Sequence, residues 1–584
     1  MTFIGIDIGT GSVRSYIRSQ NREPTTRVLP IASNYLDSNP RVITQSSAEI
    51  LQQLIETIPS EVAHEKRNGI AIGATCSMVV REVKNINNTN YLCPFPVDFD
   101  FESTFYENSR QDIILWMDNR ASKQADDLNK SLPTEILATM GGRVIPEMGI
   151  AKLKWLSDWV SFHKIEKKLV VFEMYDWFSY ALSNQTSQGV LLNENLSRIE
   201  SNYAMDGSIK GWSSSFLRNE LKVADNIEVG GTASNGINLN FPPIGQLIGK
   251  VSASFKPIED FEIGHGCIDC YSGWISSLTD PNSLISNDGN NNAELSMIAG
   301  TSTCFLLASE KRNTIQGIWG PFNQLLYQES FKSLYEFGQP ATGKLFEELS
   351  QKYTNLTKKH DFFEYVELEI QKQEESKGRS FIQLLKDHFY YGDKYGNRSP
   401  FNEFDMREIT MNGDSALKKD PLTELVIQYY LTIEFLVLQM KQIIDIIEDK
   451  GGIKIECIKI SGSQSKNKRM TKMIKLVNPE KEIITIGSEK DNIPTGVFGA
   501  RGASIIAELA TEIETQEPGS VDYKELFTTT ISNNNSLLKN KNRVVKLEHK
   551  NPLDEKVLDI KYWFLQKLSQ LQLDYRQRLK LEDI

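Results

Sequence analysis

Two stretches of the chain begin with the same order of apolar and polar residues. In the first, the apolar residues 3–8 lead into Gly9-Thr10-Gly11-Ser12 and then into residues 13–18, where apolar and polar positions alternate. Alternation with period two indicates a strand, so this unit is predicted to be a β-hairpin with a glycine-rich turn. A Walker loop or a dinucleotide-binding turn would open a helix here, and the pattern therefore argues against both.

The second stretch follows a polar, Gly-punctuated run at residues 287–292, which is typical of a linker or loop tip. Residues 295–299 are apolar, Gly300-Thr301-Ser302 follow, and residues 303–308 form another apolar run. The repeated order of strand, small-residue turn and strand predicts a weak internal duplication. We therefore expect domains at residues 1–286 and 293–515, followed by a polar segment and terminal helix at 516–584.

Other elements are predicted from hydrophobic periodicity. Spacings of three and four predict helices, period two or short apolar runs predict strands, and polar residues without pattern predict irregular backbone. The helices are expected at residues 44–58, 151–163, 173–183, 271–278, 343–377, 420–449, 466–476 and 553–575, the strands at 69–74, 113–116 and 456–461, and irregular backbone at 225–245 and 515–552.

The composition narrows the class of protein. The 584 residues are 40% hydrophobic and 24% charged, as in ordinary globular proteins. The net charge of −11 argues against a broad nucleic-acid surface and against attraction to anionic lipid. Six cysteines are too few for a disulfide scaffold, and no targeting segment is recognisable. We expect a cytoplasmic protein with neither nucleic-acid nor membrane partners; the sequence is compatible with a homodimer.

The candidate chemistry lies in the two turns. Backbone N–H groups of a tight glycine turn can approach phosphate oxygens, and a carboxylate at a strand end, here Asp7, can hold Mg²⁺ through water. Thr10, Ser12 and Arg14 add donors. Two such turns facing each other across a cleft would hold the phosphates of one nucleotide from both sides, as in the actin-like ATPase fold.

A set of short motifs, each weak alone, occurs in the order of one family. They are residues 5–14 (GIDIGTGSVR), 74–78 (ATCSM), 114–121 (ILWMDNRA), 146–148 (PEM), 152–155 (KLKW), 264–269 (GHGCID), 299–304 (AGTSTC), 317–321 (GIWGP), 338–344 (GQPATGK), 396–400 (GNRSP) and 461–467 (SGSQSKN). By these motifs the chain resembles the FGGY family of carbohydrate kinases, in particular its D-ribulokinase-type branch. The resemblance implies an α/β fold of two actin-like ATPase (ribonuclease H-like) domains with a nucleotide and sugar cleft between them.

The resemblance also implies roles for single residues. Asp269 would be the catalytic base that takes the proton of a sugar hydroxyl. The other sugar-pocket residues would be Thr75, Cys76, Asp118, Lys210 and Glu336, with Asp118 more directly paired to Arg120 than to the sugar. Asp7 would organise Mg²⁺. ATP would contact Gly9, Thr10, Gly11, Ser12, Arg14, Gly300, Thr301, Ser302, Gly343, Gly462, Ser463 and Asn467.

The chain departs from the family at Ser463, where a second glycine is usual. If that position required a positive φ, serine would be strained there. Three functions remain open: ATP-dependent phosphorylation of a ketopentose, D-ribulose above others; the same reaction on xylulose, ribitol or glycerol; and a binding or regulatory role for a paralogue that has lost catalysis.

Two further motifs are weighed against this interpretation. Residues 338–345 approach a Walker loop, but Leu345 stands where Mg²⁺ needs a hydroxyl, and residues 333–337 make a doubtful strand. His265, Cys267 and Cys270 offer three metal ligands, whereas structural zinc wants four from separated pairs. Both alternatives are disfavoured.

Overall fold

The computed structural model describes residues 1–20, 22–103, 109–193, 208–210, 212–231, 244–285, 292–322, 331–358, 361–413, 420–487, 495–514, 522–539, 543–547 and 551–581. The strands are β1 (Thr2–Ile8), β2 (Ser12–Ser19), β3 (Thr25–Pro30), β4 (Asn34–Leu36), β5 (Asn39–Gln45), β6 (Asn68–Ala74), β7 (Met78–Ile86), β8 (Thr89–Pro94), β9 (Ile113–Ile114), β10 (Leu169–Glu173), β11 (Gln185–Thr186), β12 (Gly189–Leu191), β13 (Ile227–Val229), β14 (Leu247–Lys250), β15 (Glu262–Ile268), β16 (Asn292–Ala299), β17 (Thr303–Ser309), β18 (Trp319–Phe322), β19 (Ser333–Gln339), β20 (Phe389–Tyr391), β21 (Ile409–Met411), β22 (Lys454–Ser461), β23 (Glu482–Thr485) and β24 (Arg543–Val544).

The helices follow the same chain order. They are α1 (Ser47–Glu56), α2 (Ser122–Ser131), α3 (Thr134–Thr139), α4 (Gly149–Phe162), α5 (Met174–Asn184), α6 (Asp269–Ser277), α7 (Gly343–Lys352), α8 (Thr354–Thr357), α9 (Phe362–Lys377), α10 (Phe381–Leu384), α11 (Pro421–Gly451), α12 (Lys468–Val477), α13 (Phe498–Glu514), α14 (Tyr523–Lys539) and α15 (Pro552–Leu581).

The chain forms two compact units. The first contains residues 1–289, 319–335 and 488–541, and the second contains residues 290–318, 336–487 and 542–584. These units differ from the continuous ranges 1–286, 293–515 and 516–584 expected from the sequence, because α13 packs on strands of the first unit and α15 packs on α11 of the second. The predicted linker at residues 287–292 lies outside the described residues, except for Asn292 at the start of β16.

The first unit is built on a sheet with the strand order β14-β15-β6-β1-β2-β3. β1 and β2 form the predicted antiparallel hairpin, while β1, β6 and β15 run parallel. Gly5, Ala71 and Gly264 lie side by side across these three strands. This row of small residues lets α13 approach closely, since a Cβ on Gly264 would lie 3.1 Å from the carbonyl oxygen of Ile506 on that helix.

A second sheet of the first unit has the order β11-β12-β8-β7-β9-β5-β4, with β10 paired to β7 and to β13. β10 and β7 are antiparallel, and Glu173 at the end of β10 lies opposite Met78 at the start of β7. α5 follows β10 directly and is buried along most of its length. This sheet therefore carries Glu173, which directly precedes α5, and Met78, which directly follows the segment that contains Thr75 and Cys76.

The second unit repeats the central pairing of the first. Its sheet contains the order β19-β17-β16-β22-β23-β24. β16 and β17 form an antiparallel hairpin, and β16 runs parallel to β22, just as β1 pairs with β2 and β6. The internal duplication inferred from the two turns is therefore present in the strand pairing.

Three details differ from the sequence-based expectations. Residues 515–552 were expected to be irregular but contain α14, whose inner face buries Tyr523, Phe527 and Ile531. The expected helical stretch 343–377 is divided into α7, α8 and α9, with Asp361 capping the last of them. The strand doubted at residues 333–337 is β19, and all seven of its residues are buried.

One helix in the described part of the chain, α11, has the length and apolar composition that a membrane span requires. Its most apolar window is 72% buried inside the protein. The core helix of a globular unit satisfies the same criteria.

Candidate active site

Three parallel strands of the first unit end side by side. Ile8 on β1 lies opposite Ala74 on β6, and Ala74 lies opposite Ile268 on β15. The residues that follow these positions therefore meet at one edge of the sheet. That edge carries the Gly9–Ser12 turn, the segment beginning at Thr75, and Asp269.

The first turn is held by hydrogen bonds from several elements. The Gly9 amide donates to the Ser12 carbonyl oxygen at 3.0 Å, which closes the hairpin. The carbonyl oxygen of Thr10 accepts from Gln45 Nε2 at 2.8 Å, and Thr10 Oγ1 accepts from Trp116 Nε1 at 2.9 Å. Hydrogen bonds from within the protein therefore fix the conformation of the turn.

Asp7 is the last but one residue of β1 and lies opposite Arg14 on β2. Arg14 Nη1 donates to Asp7 Oδ2 at 3.0 Å. Burial raises the pKa of the Asp7 carboxyl, and Arg14 opposes that rise. A Cβ on Gly499 would lie 2.6 Å from Asp7 Oδ2, so only glycine leaves room for the carboxylate. Carboxylate oxygen is the ligand type that Mg²⁺ prefers, so Asp7 supplies one ligand atom of that type.

Thr75 follows β6 and is tied to both neighbouring elements. Its amide donates to the Ile8 carbonyl oxygen at 3.0 Å, and its Oγ1 lies 3.0 Å from Ser77 Oγ. Ser77 Oγ in turn accepts from the Trp116 amide at 2.9 Å. Thr75 is buried, and Cys76 beside it is partly exposed.

Asp118 and Arg120 form the ion pair that the sequence suggested. Arg120 Nη2 donates to Asp118 Oδ2 at 2.7 Å, and the Ile43 amide donates to the same oxygen at 2.7 Å. Both side chains are almost completely buried. The carboxylate of Asp118 is thus occupied by a side chain and a main-chain amide of the same unit.

Lys152 is buried close to this ion pair. Its Nζ donates to the carbonyl oxygens of Leu115 and Trp116 at 2.7 and 2.6 Å. Burial lowers the pKa of the Lys152 ammonium, and Asp118 opposes that fall. The motif at residues 152–155 was noted in the sequence, but its lysine was assigned no role.

Asp269 is the first residue of α6, directly after β15. Its Oδ1 accepts from the Cys270 amide at 2.8 Å. The residue in the N-cap position is Ile268, so Asp269 is not the helix cap. A Cβ on Gly73 of β6 would lie 3.0 Å from the Cβ of Ser272 on α6, so this glycine allows the first turn of α6 to pack close to the sheet.

Lys210 lies in a buried cluster of charged residues. Its Nζ donates to Asp176 Oδ2 at 2.5 Å and lies 2.8 Å from His265 Nε2. Burial lowers the pKa of Lys210 and Asp176 opposes that fall, while the charge of Lys210 brings the pKa of Asp176 below its usual value against the effect of burial. Apart from Lys210, the cluster was not predicted.

His265 and Cys267, which were considered as metal ligands, are both buried in the first unit. His265 Nε2 is directed to Lys210 and Asp176. Burial strongly raises the pKa of the Cys267 thiol, and both Asp269 and Asp7 add to this.

The turn of the second unit has the same closure as the first. The Gly300 amide donates to the Ser302 carbonyl oxygen at 2.9 Å. The amide of Gly343 donates to Gly300 O at 3.0 Å, and that of Lys344 to Thr301 O at 3.1 Å. A Cβ on Gly343 would lie 2.6 Å from Gly300 O, so glycine is required for this contact.

The hydrogen bonds of Gly343 and Lys344 also show whether residues 338–345 form a Walker loop. β19 and α7 do supply the strand and helix that such a loop needs, so the objection based on a doubtful strand was wrong. However, the amides of Gly343 and Lys344 are used by the Gly300 turn, and Leu345 is buried in the second unit. These groups therefore do not form a phosphate cradle of the Walker type.

The turn after β22 accommodates serine without strain. Gly462 has φ +83°, and a Cβ there would lie 2.5 Å from the Ala299 carbonyl oxygen. Ser463 is not among the residues with positive φ and begins a 3₁₀-helix at Ser463–Lys466. Asn467 caps α12 by accepting from the Met470 amide at 3.0 Å. The concern about strain at Ser463 therefore does not apply.

Glu336 lies on β19 in the second unit and is buried. Within the first unit, the structure brings Asp7, the Gly9–Ser12 turn, Thr75, Cys76 and Asp269 to one sheet edge. Within the second unit it brings together the Gly300–Ser302 turn and Gly343, with Gly462 against Ala299. Asp118 and Lys210 lie in buried ion pairs of the first unit.

Strand–turn–strand hairpins with glycine turns, repeated in two α/β units, are typical of the actin-like class of nucleotide-binding folds. Residues 295–474 match the sequence profile of the FGGY family of carbohydrate kinases, C-terminal domain. Protein MPA43 of Saccharomyces cerevisiae is 31% identical over 525 residues, with 87% of this chain and 86% of that protein covered. D-ribulokinase YDR109C of the same yeast is 30% identical, with coverage of 81% and 67%.

Among solved structures, xylulose kinase from Rhodospirillum rubrum aligns with a TM-score of 0.62 at 13% identity, covering 98% of this chain and 99% of that chain. The chain belongs to the FGGY family of carbohydrate kinases. It has the family's two-domain actin-like fold and is a phosphotransferase that acts on a carbohydrate, with ATP as the co-substrate of the family.

Proposed function

We propose that the protein transfers the γ-phosphoryl group of ATP to D-ribulose, giving D-ribulose 5-phosphate and ADP. The observation that carries the substrate is the 30% identity to a D-ribulokinase over 509 residues. The phosphoryl transfer itself is supported by Asp269, because its carboxylate lies at the sheet edge that also carries the Gly9–Ser12 turn.

Asp269 acts as the general base. A sugar hydroxyl is a weak nucleophile, and a carboxylate within hydrogen-bond reach takes its proton as the new O–P bond forms. The bond between the γ-phosphorus and the bridging oxygen breaks, and ADP leaves. The half-buried position of Asp269 at the start of α6 allows the carboxylate to meet a substrate from outside.

The phosphates are held by the two hairpin turns in this proposal. Thr10, Gly11 and Thr301 contact the transferring phosphoryl group, and Gly462 with Ser463 supports the adenosine. Asp7 holds Mg²⁺, which neutralises phosphate charge when bound. Lys210, Glu336, Thr75 and Cys76 surround the sugar. A homodimer and a cytoplasmic location remain predictions, to be tested by light scattering and by cell fractionation.

A coupled ADP-release assay with Mg-ATP and a panel of ketopentoses, pentitols and glycerol tests the proposal. Wild type and Asp269→Asn are compared, with Asp126→Asn as the matched control, since Asp126 is 57% exposed on the first unit. We expect turnover to be fastest on D-ribulose, to fall at least 100-fold in Asp269→Asn and to be unchanged in the control.

The other outcomes contradict separate parts of the proposal. If turnover is faster on xylulose, ribitol or glycerol, that polyol is the substrate instead of D-ribulose. The structural similarity to a xylulose kinase is consistent with this alternative. Full turnover in Asp269→Asn would remove the assigned base. ATP binding without turnover on any polyol would favour a regulatory paralogue.

A further inference from the structure

The segment that carries Lys210 is held by three other elements of the first unit. Asp176 is in the first turn of α5, Glu173 ends β10, and His265 lies on β15. Glu173 Oε1 accepts from the Ile209 amide at 2.9 Å, which fixes the main chain beside the lysine. Asp176 and His265 contact the lysine side chain itself.

The geometry defines which group donates. An ammonium has only donors, so the 2.8 Å contact between Lys210 Nζ and His265 Nε2 requires Nε2 to accept. Lys210 Nζ also lies 4.9 Å from the centre of the Tyr175 ring. The ammonium group is thus directed from three sides by a carboxylate, an imidazole and an aromatic face.

Stability alone gives little reason for this arrangement. A buried ion pair contributes about as much as apolar side chains of the same volume, because both charges lose their hydration. Lys210 and Asp176 are only 2% and 0% exposed. Burying the Lys210 ammonium group costs its hydration free energy. We infer that the arrangement is kept because a positive charge is needed at this fixed position.

The cluster connects to both parts of the candidate sugar site. His265 lies on β15, four residues before Asp269. Glu173 lies opposite Met78, two residues after Cys76. The strand that leads to the proposed base and the strand that follows the proposed sugar loop therefore both contact the residues around Lys210.

We propose that Asp176 and His265 are positioning residues that set the place and direction of the Lys210 ammonium group for binding the sugar. This inference rests on the proposed function, in which Lys210 belongs to the sugar pocket. Asp176 supplies the opposing charge, and His265 supplies an acceptor that fixes the direction of one N–H.

A double-mutant cycle tests this role. Sugar dissociation constants are measured by calorimetry, and the KM for ATP by ADP release, for Asp176→Asn, Lys210→Met and the double variant, with Asp126→Asn as the exposed control. The sugar is the one that wild type phosphorylates fastest. We expect Asp176→Asn to weaken sugar binding roughly 10- to 100-fold, as for a lost hydrogen bond to a charged group, and to leave the KM for ATP within about twofold.

In the Lys210→Met background, Asp176→Asn should have no further effect on sugar binding, because its partner is absent. His265 gives an independent pair of variants. Leucine removes the acceptor, whereas glutamine places an amide oxygen near the position of Nε2, so His265→Leu should weaken sugar binding and His265→Gln should retain most of it. This pair decides the matter if Asp176→Asn does not fold.

The proposal is overturned if Asp176→Asn changes the sugar dissociation constant equally with and without Lys210. It is also overturned if Asp176→Asn raises the sugar dissociation constant and the KM for ATP by the same factor, or if it binds sugar as tightly as Asp126→Asn does. His265→Leu with wild-type affinity would overturn the part concerning the histidine. A wrong substrate assignment is distinguishable, because it appears in wild type as turnover on another polyol, whereas failure of positioning appears only in the ratio of variant to wild type.

Discussion

Replacing Gly5 by alanine should destabilise the first unit far more than an ordinary substitution. A Cβ on Gly5 would lie closer than 3.0 Å to three main-chain atoms of α13: the oxygen of Ala500, the nitrogen of Ser504 and the carbonyl carbon of Ala503. Main-chain atoms inside a helix cannot rotate away, so the whole helix must shift. Overpacking of a core costs about 1–3 kcal/mol, occasionally more, and we expect about 3 kcal/mol or more here.

Gly11→Ala is the matched control for this substitution. A Cβ on Gly11 would have no atom within 4 Å, and its φ is not in the left-handed region. Alanine should therefore change stability by less than about 0.5 kcal/mol. Both variants are unfolded in urea and labelled with a pulse of thiol reagent. Cys267 is buried in the first unit and Cys457 in the second, and mass spectrometry reads the two separately.

In Gly5→Ala the Cys267 transition should move to lower urea, and the Cys457 transition should move less. The reasoning fails if Gly5→Ala and Gly11→Ala label Cys267 at the same urea concentration. It also fails if both cysteines shift equally, since the clash lies in the first unit alone.

Two further predictions concern the second-unit turn and the buried cluster. Gly462→Ala should raise the KM for ATP about tenfold, because alanine is strained at φ +83°, whereas Ser463→Gly should leave it within about twofold; equal effects would contradict the assignment of strain. Burial raises the pKa of Glu173 to about 7 from 4.5, so the folded state binds this proton more tightly. The contribution of Glu173 to the free energy of unfolding is about 3 kcal/mol. It is fully present below pH 4.5 and is lost as the pH rises through 7. Thiol labelling of Cys267 in urea at pH 5 and pH 8 should show that loss in wild type and a smaller one in Glu173→Gln; an unchanged loss would refute it.

Local patterns predicted the parts of the fold that depend on neighbouring residues. Period-two alternation identified the hairpin at Gly9, and the repeated order of apolar run, small-residue turn and apolar run identified the hairpin at Gly300. α14 was missed because its buried positions include polar residues. Asn535 is one of them, and it is satisfied by Arg501 and by the carbonyl oxygen of Leu278. Those partners lie far away in the chain, and no local pattern records them.

The candidate site was predictable only in part for the same reason. Asp269 and the turns lie in recognisable motifs, whereas Asp176 and His265 become partners of Lys210 only after folding. One signal was available in the sequence. Asp176 lies in a short stretch of otherwise mostly apolar and aromatic residues, and a charge that is buried on such a helix needs a partner.

The position of α13 has a consequence for synthesis of the protein. β1 leaves the ribosome well before α13, the helix that covers Gly5, Gly69 and Gly264 on its sheet, because about 490 residues of chain separate the two elements. At about 5–20 residues per second, this interval is on the order of a minute. During that time α13 does not yet cover its face of the first sheet. The apolar residues on that face are then exposed, which makes the nascent chain prone to aggregation. A ribosome that stops before residue 498 would therefore release a first unit unable to complete its core.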